Sequence, residues 1–234
     1  MTETRNYIPA LKYDWLTKVY DPFLQFTMPE KKFKKALINQ MNIQPGYYVL
    51  DFGCGSITLS LMAAMAHPQA EFLGVDIDEK ILTIAKEKMA NSGLSMDVQQ
   101  YDGRKLPYAD GSFDRVMSSL VFHHLTLHQK YSSLTEIYRI LKPLGEVHIA
   151  DFGKPANGIQ RLGFYGVQIL DGFETTKDSV KDLLPQVMEE TNFLRVQETE
   201  SFNTLFGTVR LMKGIKQGMK ILQRERSEGS KNLE

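Results

Sequence analysis

Apolar residues recur along this chain in two rhythms that alternate from about residue 47 onward. Short apolar runs near 47–52, 70–75, 96–101, 113–118 and 144–150 have the length of strands. Between them, 57–66, 78–91 and 128–141 show helical spacing; in the second, Ile81, Leu82, Ala85 and Met89 share one face, and Asp78 is placed to cap its start. This alternation predicts a parallel sheet with right-handed crossovers. Ahead of it, 11–19, 22–28 and 30–41 read as helices punctuated by Pro22 and Pro29, each suited to a first turn. Beyond the fifth strand the rhythm breaks. Residues 152–176 gather Phe152, Phe164, Tyr165 and Phe173 among glycines, a helix is expected near 178–191, and the close runs 194–202 and 204–212 must pair as a hairpin or lie antiparallel. The predicted organisation is a helical cap over 1–44, an α/β domain over 45–215 with an insertion at 152–176, and a basic tail over 216–234.

Composition narrows the class. A chain of 234 residues with 42% hydrophobic content fits one well-buried α/β domain with additions. Its 28 basic and 28 acidic residues cancel, so no global field draws it to nucleic acid, although both ends carry an excess of Lys and Arg. The lone Cys54 allows no internal disulfide and fits a reducing compartment. With no apolar run of about 18 residues and no leader-like start, a soluble cytoplasmic protein is expected.

The chemistry gathers at the strand ends. Val49-Leu50-Asp51-Phe52-Gly53-Cys54-Gly55 is an apolar strand ending in a carboxylate and a two-glycine turn into a helix, and Asp76 ends the next strand. Glycines there let a ligand approach the backbone, and helix N–H groups suit a carboxylate. A pyrophosphate would be repelled by Asp51, whereas a cofactor with an ammonium and a sulfonium, such as S-adenosylmethionine, would be attracted. Thr58 stands where a dinucleotide-binding turn needs its third glycine. Asp76 is placed to accept both ribose hydroxyls. At the third strand end, Asp102 before Gly103 suits an adenine amino group, with room left for the flat ring.

Four stretches in order resemble the motifs of class I S-adenosylmethionine-dependent methyltransferases: Val-Leu-Asp-Phe-Gly-Cys-Gly, Gly-Val-Asp-Ile-Asp, Tyr-Asp-Gly-Arg-Lys-Leu-Pro-Tyr-Ala-Asp-Gly-Ser-Phe-Asp and Leu-Lys-Pro-Leu-Gly-Glu-Val. The likeness is greatest to the small-molecule branch that includes the ubiquinone and menaquinone biosynthesis methyltransferases. It implies an α/β, Rossmann-like fold: a seven-stranded, mainly parallel sheet with an antiparallel last strand, helices on both faces and an N-terminal helical cap. It further implies S-adenosyl-L-methionine as cofactor, held by Asp51, Gly53, Gly55, Asp76 and Asp102 with Gly103. Ile77 resembles the position that packs on adenine, and Ser119 and Leu120 resemble the segment passing the methionine end. In one departure, Ile57 stands where the family usually has a third glycine. A branched side chain there would crowd the cofactor or shift the helix start.

On the acceptor side, His123 and His124 follow the fourth strand and are expected to face the cleft. One of them is a candidate general base; alternatively one caps the loop while the other packs. Asp151 and Phe152, and Phe173 and Glu174 in the insertion, are expected near the acceptor. Tyr20, with Asp21, resembles a Tyr-Asp signature in the segment that closes over the cofactor in related quinone enzymes, or else simply packs and caps. No metal site is expected, since neighbouring histidines lack a patterned third ligand. The expected activity is methyl transfer to a small aromatic or lipophilic molecule. The alternatives are a non-catalytic cofactor-binding module and an RNA methyltransferase; Ser118-Ser119-Leu120-Val121 lacks the Asn-Pro-Pro-Tyr of base-amine methylation. Residues 209–226 read as a basic amphipathic helix for weak peripheral membrane contact, or as a strand ending near Met212 followed by a short solvated helix.

Overall fold

The computed structural model describes residues 29–153, 183–204 and 207–218. The two earliest expected helices, Tyr20, most of the insertion and the end of the tail lie outside the described residues. Within them the chain runs α1 (Glu30–Gln40), β1 (Tyr48–Phe52), α2 (Thr58–Ala66), β2 (Glu71–Asp76), α3 (Glu79–Ser92), β3 (Asp97–Gln100), β4 (Phe113–Ser119), a 3-10 turn (Phe122–His124), α4 (Leu127–Ile140), β5 (Leu141–Gly153), α5 (Leu184–Glu190), β6 (Leu194–Thr204) and β7 (Gly207–Ile215). The strands form one seven-stranded sheet in the order β3-β2-β1-β4-β5-β7-β6. β7 alone runs against its neighbours, pairing antiparallel with β5 on one side and β6 on the other.

Both sheet faces are buried, which is why the central strands read as continuous apolar runs rather than alternating ones. Leu50, Phe52, Val116, Val147 and Ile149 face α4 and α5 through Leu134, Ile137, Val187 and Met188. On the other face, Val49, Met117, Ala150 and Leu211 meet Phe33, Leu37 and Ile38 of α1 and Leu59 and Ala63 of α2. Leu82 and Ala85 of α3 complete this second layer with Leu61 and Val98. Local signals set the helix starts. Asp78 caps α3 by accepting the N–H of Lys80 at 2.9 Å, as expected. Thr126 and Gln129 form a reciprocal capping box on α4.

The expected boundaries shift in three places. β5 reaches back to Leu141 because Leu141 pairs with Phe113 across a bulge, with Leu144 taking a positive φ of 65°. The last strand runs on to Ile215 rather than stopping near Met212. This removes the reading of 209–226 as one amphipathic helix: Val209, Leu211 and Met212 are buried sheet residues. α2 starts at Thr58, one residue later than expected, because Ile57 is left-handed.

Candidate functional site

The sequence leaves β1, builds outward through β2 and β3, then returns to β4 on the other side of β1. Adjacent connections therefore diverge between β1 and β4, and a cleft opens beyond their carboxyl ends. The cleft has a volume of about 310 Å³. Its floor is the turn after β1. Gly53 has φ of 70°, and a Cβ there would lie 2.5 Å from a methyl of Val121, so both conformation and close approach require glycine. The N–H groups of Gly53 and Cys54 both donate to the Val75 carbonyl, tying the turn to β2. Gly55, φ 51°, has open space where a Cβ would be.

Asp76 completes this corner. One carboxylate oxygen accepts the Gly55 N–H at 2.9 Å and the other the Asp78 N–H at 3.0 Å. Burial raises its carboxyl above the ordinary range, opposed by those N–H donors. Ile77, Ile81 and Tyr101 form an apolar wall beside it, and Gly103 leaves space against Ile77. Asp102 itself is exposed and does not line the cleft. Its carboxylate accepts the N–H groups of Arg104 and Lys105, which hold its carboxyl below the usual range, Arg104 foremost.

Asp51 is placed differently from the expectation of a cleft-facing carboxylate. It is 1% exposed, lies behind the glycine turn and accepts a 2.5 Å bond from the Ser60 hydroxyl. Burial pushes its carboxyl up to about 6, against the lowering pull of Ser60 and Lys34. Ile57, with φ of 56°, is fully buried against Cys54, Leu61 and Leu82 and is not among the residues that line the cleft. The side chain that was expected to crowd the cofactor points into the core, and its cost appears in the backbone instead.

Ser119, Leu120 and Val121 form the opposite wall. The Ser119 hydroxyl is buried with no hydrogen-bond partner among the described residues, a polar atom left for a ligand. Leu120 adopts φ of 59° and donates its N–H to the Ala150 carbonyl. The histidines after it divide their tasks. His123 is buried, and its Nδ1 lies 2.7 Å from an Asp151 oxygen. The other oxygen of Asp151 accepts the N–H groups of Val121 and Phe122. Burial alone would raise the Asp151 carboxyl; the charge and hydrogen bond of His123 and the Phe152 N–H outweigh it and hold it low. Asp151 and Phe152 thus shape the turn rather than line the cleft. His124 does line it, stacked 3.9 Å from the His123 ring, and burial followed by the His123 charge lowers its pKa to about 3.

Several cleft residues escaped the sequence reading, Ser56, Tyr101 and Leu125 among them, and two others carry charge. Glu30 and Lys34 of α1 form an ion pair of 2.5 Å at the cleft mouth. The signal was present: Lys34 falls within the stripe Phe33, Leu37, Ile38 and Met41 that faces the core. It was masked by the surrounding lysines.

The geometry fits S-adenosylmethionine: a glycine floor, a carboxylate at the second strand end, an apolar slot beside it and an orphan hydroxyl at the fourth strand. Residues 49–145 match the family described as "Methyltransferase domain". A demethylmenaquinone methyltransferase of Lactobacillus johnsonii is 33% identical over 135 residues, a match covering 56% of this chain and 54% of that protein. The ubiquinone/menaquinone biosynthesis C-methyltransferase UbiE of Pseudoalteromonas translucida is 27% identical over 88% of this chain and 87% of its own length. The fold matches the Haemonchus contortus phosphoethanolamine N-methyltransferase 2 complex with S-adenosylhomocysteine at a TM-score of 0.71 and 16% identity, over 93% of this chain and 61% of that one. Over residues 49–145 this chain is thus similar to a methyltransferase domain, and over most of its length to the ubiquinone and menaquinone biosynthesis enzymes.

Proposed function

We propose that this protein methylates a small, lipophilic, hydroxylated ring of the quinol type. The observation that carries this reading is the position of His124. It lies on the same cleft wall as Ser119, at the far side from the Asp76 corner, where an acceptor would meet the cofactor's reactive end. The quinone-pathway names of the relatives support the acceptor class.

Bound S-adenosylmethionine supplies an electrophilic methyl group, so a ring made electron-rich by losing a hydroxyl proton is a competent nucleophile. Asp76 would hold the ribose, Ile77 and Gly103 the adenine face, and Ser119 the methionyl side. His124 stays neutral across the physiological range, leaving a ring nitrogen able to accept from the acceptor hydroxyl. Its conjugate acid is strongly disfavoured, so His124 orients the acceptor hydroxyl by accepting its hydrogen bond, and the proton leaves to solvent when that hydroxyl ionises. His123, fixed by Asp151, is a positioning residue for that ring.

Ile57 is buried in the core and does not narrow the cleft, so it gives no support to a non-catalytic module, and nothing observed favours RNA as acceptor. The test is transfer of a labelled methyl group to reduced polyprenyl benzoquinols and naphthoquinols. Labelled lipid-soluble product is expected, and His124→Asn should lower kcat about 10²-fold or more while leaving S-adenosylhomocysteine affinity unchanged. If neither quinol is labelled while cofactor binding is intact, the acceptor class is wrong.

A further inference from the structure

α1 carries a charge arrangement that the glycine turn does not explain. Lys34 is 9% exposed, although lysine is almost never buried unless paired. Its ammonium contacts Glu30, and both side chains line the cleft beside Ser56 and Thr58, at the start of α2. Among the described residues, Lys34 is the single Lys or Arg on the cleft wall. The helix that carries it packs against α2, which sets Lys34 beside the start of that helix, on the methionine side of the turn, and its charge also draws the Asp51 carboxyl downward. Asp51, the group expected to meet an ammonium, is sealed behind the turn and bonded to Ser60.

We infer that the Glu30–Lys34 pair is the reader of the amino-acid end of the cofactor. Lys34 takes the α-carboxylate and Glu30 the α-ammonium, so that the pair and the zwitterion lie head to tail. The N–H groups at the start of α2 reinforce Lys34, since that end of a helix also favours a carboxylate. Asp51 then acts through the field it sets behind the turn. This inference rests on the cofactor being S-adenosylmethionine. It adds that the segment before the α/β domain contributes to the binding site.

The amino-acid end can be removed from the ligand as well as from the protein. 5′-Methylthioadenosine keeps the adenosine and the thioether but lacks both charges. Affinities of S-adenosylhomocysteine and 5′-methylthioadenosine are measured by titration calorimetry on the full chain, on Lys34→Met and on Glu30→Gln. Lys34→Met should weaken S-adenosylhomocysteine about tenfold or more, the worth of one charge-assisted hydrogen bond, and alter 5′-methylthioadenosine less than about twofold. Glu30→Gln should show a smaller loss with the same selectivity, because Glu30 is one-third exposed and solvent screens it. Equal losses for both ligands, or no loss for either, would overturn the assignment and leave Lys34 a packing residue. A wild-type chain that binds neither ligand would instead overturn the cofactor reading on which it stands.

Discussion

At the scale of single residues, the site is governed by what burial does to charge. Asp51 ionises near 3.8 when exposed but at about 6 in the fold, because the carboxylate has lost its water and the Ser60 hydrogen bond and the Lys34 charge offset only part of that loss. Between these values the folded chain holds a proton that the unfolded chain has released. Stability therefore falls as pH rises from about 4 to 6, by roughly 3 kcal/mol in all. Asp51→Asn should be more stable than the native chain at pH 7.5 by up to that amount, with the gain vanishing near pH 4. Urea unfolding at the two pH values checks this, and a gain independent of pH would sink it. The same variant should bind S-adenosylhomocysteine more weakly. His124 bends the other way: its depressed pKa makes folding less favourable as pH falls below 6.5. Residue identities at the strand ends were legible in the sequence because three carboxylates followed three apolar runs. Their exposure was not legible, since Asp51 and Asp102 look alike in sequence and one is sealed while the other faces water.

Elements are joined by turns that trade backbone comfort for packing, and the junction of β1 and α2 is the sharpest example. Ile57 holds a left-handed conformation that costs a β-branched residue about 1–2 kcal/mol, offset by complete burial of its side chain. Both Ile57→Ala and Ile57→Gly should lose about 2–5 kcal/mol of stability by emptying that pocket. Alanine keeps the backbone cost and glycine relieves it, so glycine should be the more stable of the two by about 1 kcal/mol, reversing their usual order in a helix. Denaturant midpoints decide the matter; alanine above glycine would mean that position 57 is not left-handed in solution. The β4–α4 junction works by another route, one buried carboxylate from β5 collecting the N–H groups of the turn. Strands, helices and the Asp78 cap were legible from periodicity. The Asp151 clamp was not, because it joins residues about 30 apart that no local pattern connects.

The whole molecule is a sheet whose cofactor cleft draws on α1, β1, α2, β2, α3 and β4, so a ligand bound there ties those elements together. S-adenosylhomocysteine at a hundred times its Kd should stabilise the fold by about 2.7 kcal/mol, a shift in Tm of about 5–10 °C for a chain of this size. Asp76→Ala should abolish most of that shift at the same concentration; an unchanged shift would remove Asp76 from the ribose site. Topology was legible to the extent that strand–helix alternation dictates it, and the reversal at the end followed from two strands too close in sequence for a crossover. Their order in the sheet did not follow. β6 is made before β7, yet β7 occupies the inner place, paired with β5 along Glu146 to Gly153. On the ribosome, β5 must therefore wait as a bare edge, with Val147 and Ile149 on one face and Ala150 and Phe152 on the other, until the final strand has emerged. A chain released before residue 207 would carry the whole cofactor turn and still present that apolar edge to its neighbours. For translation that stops before residue 207, the consequence is aggregation rather than a slightly shorter soluble chain.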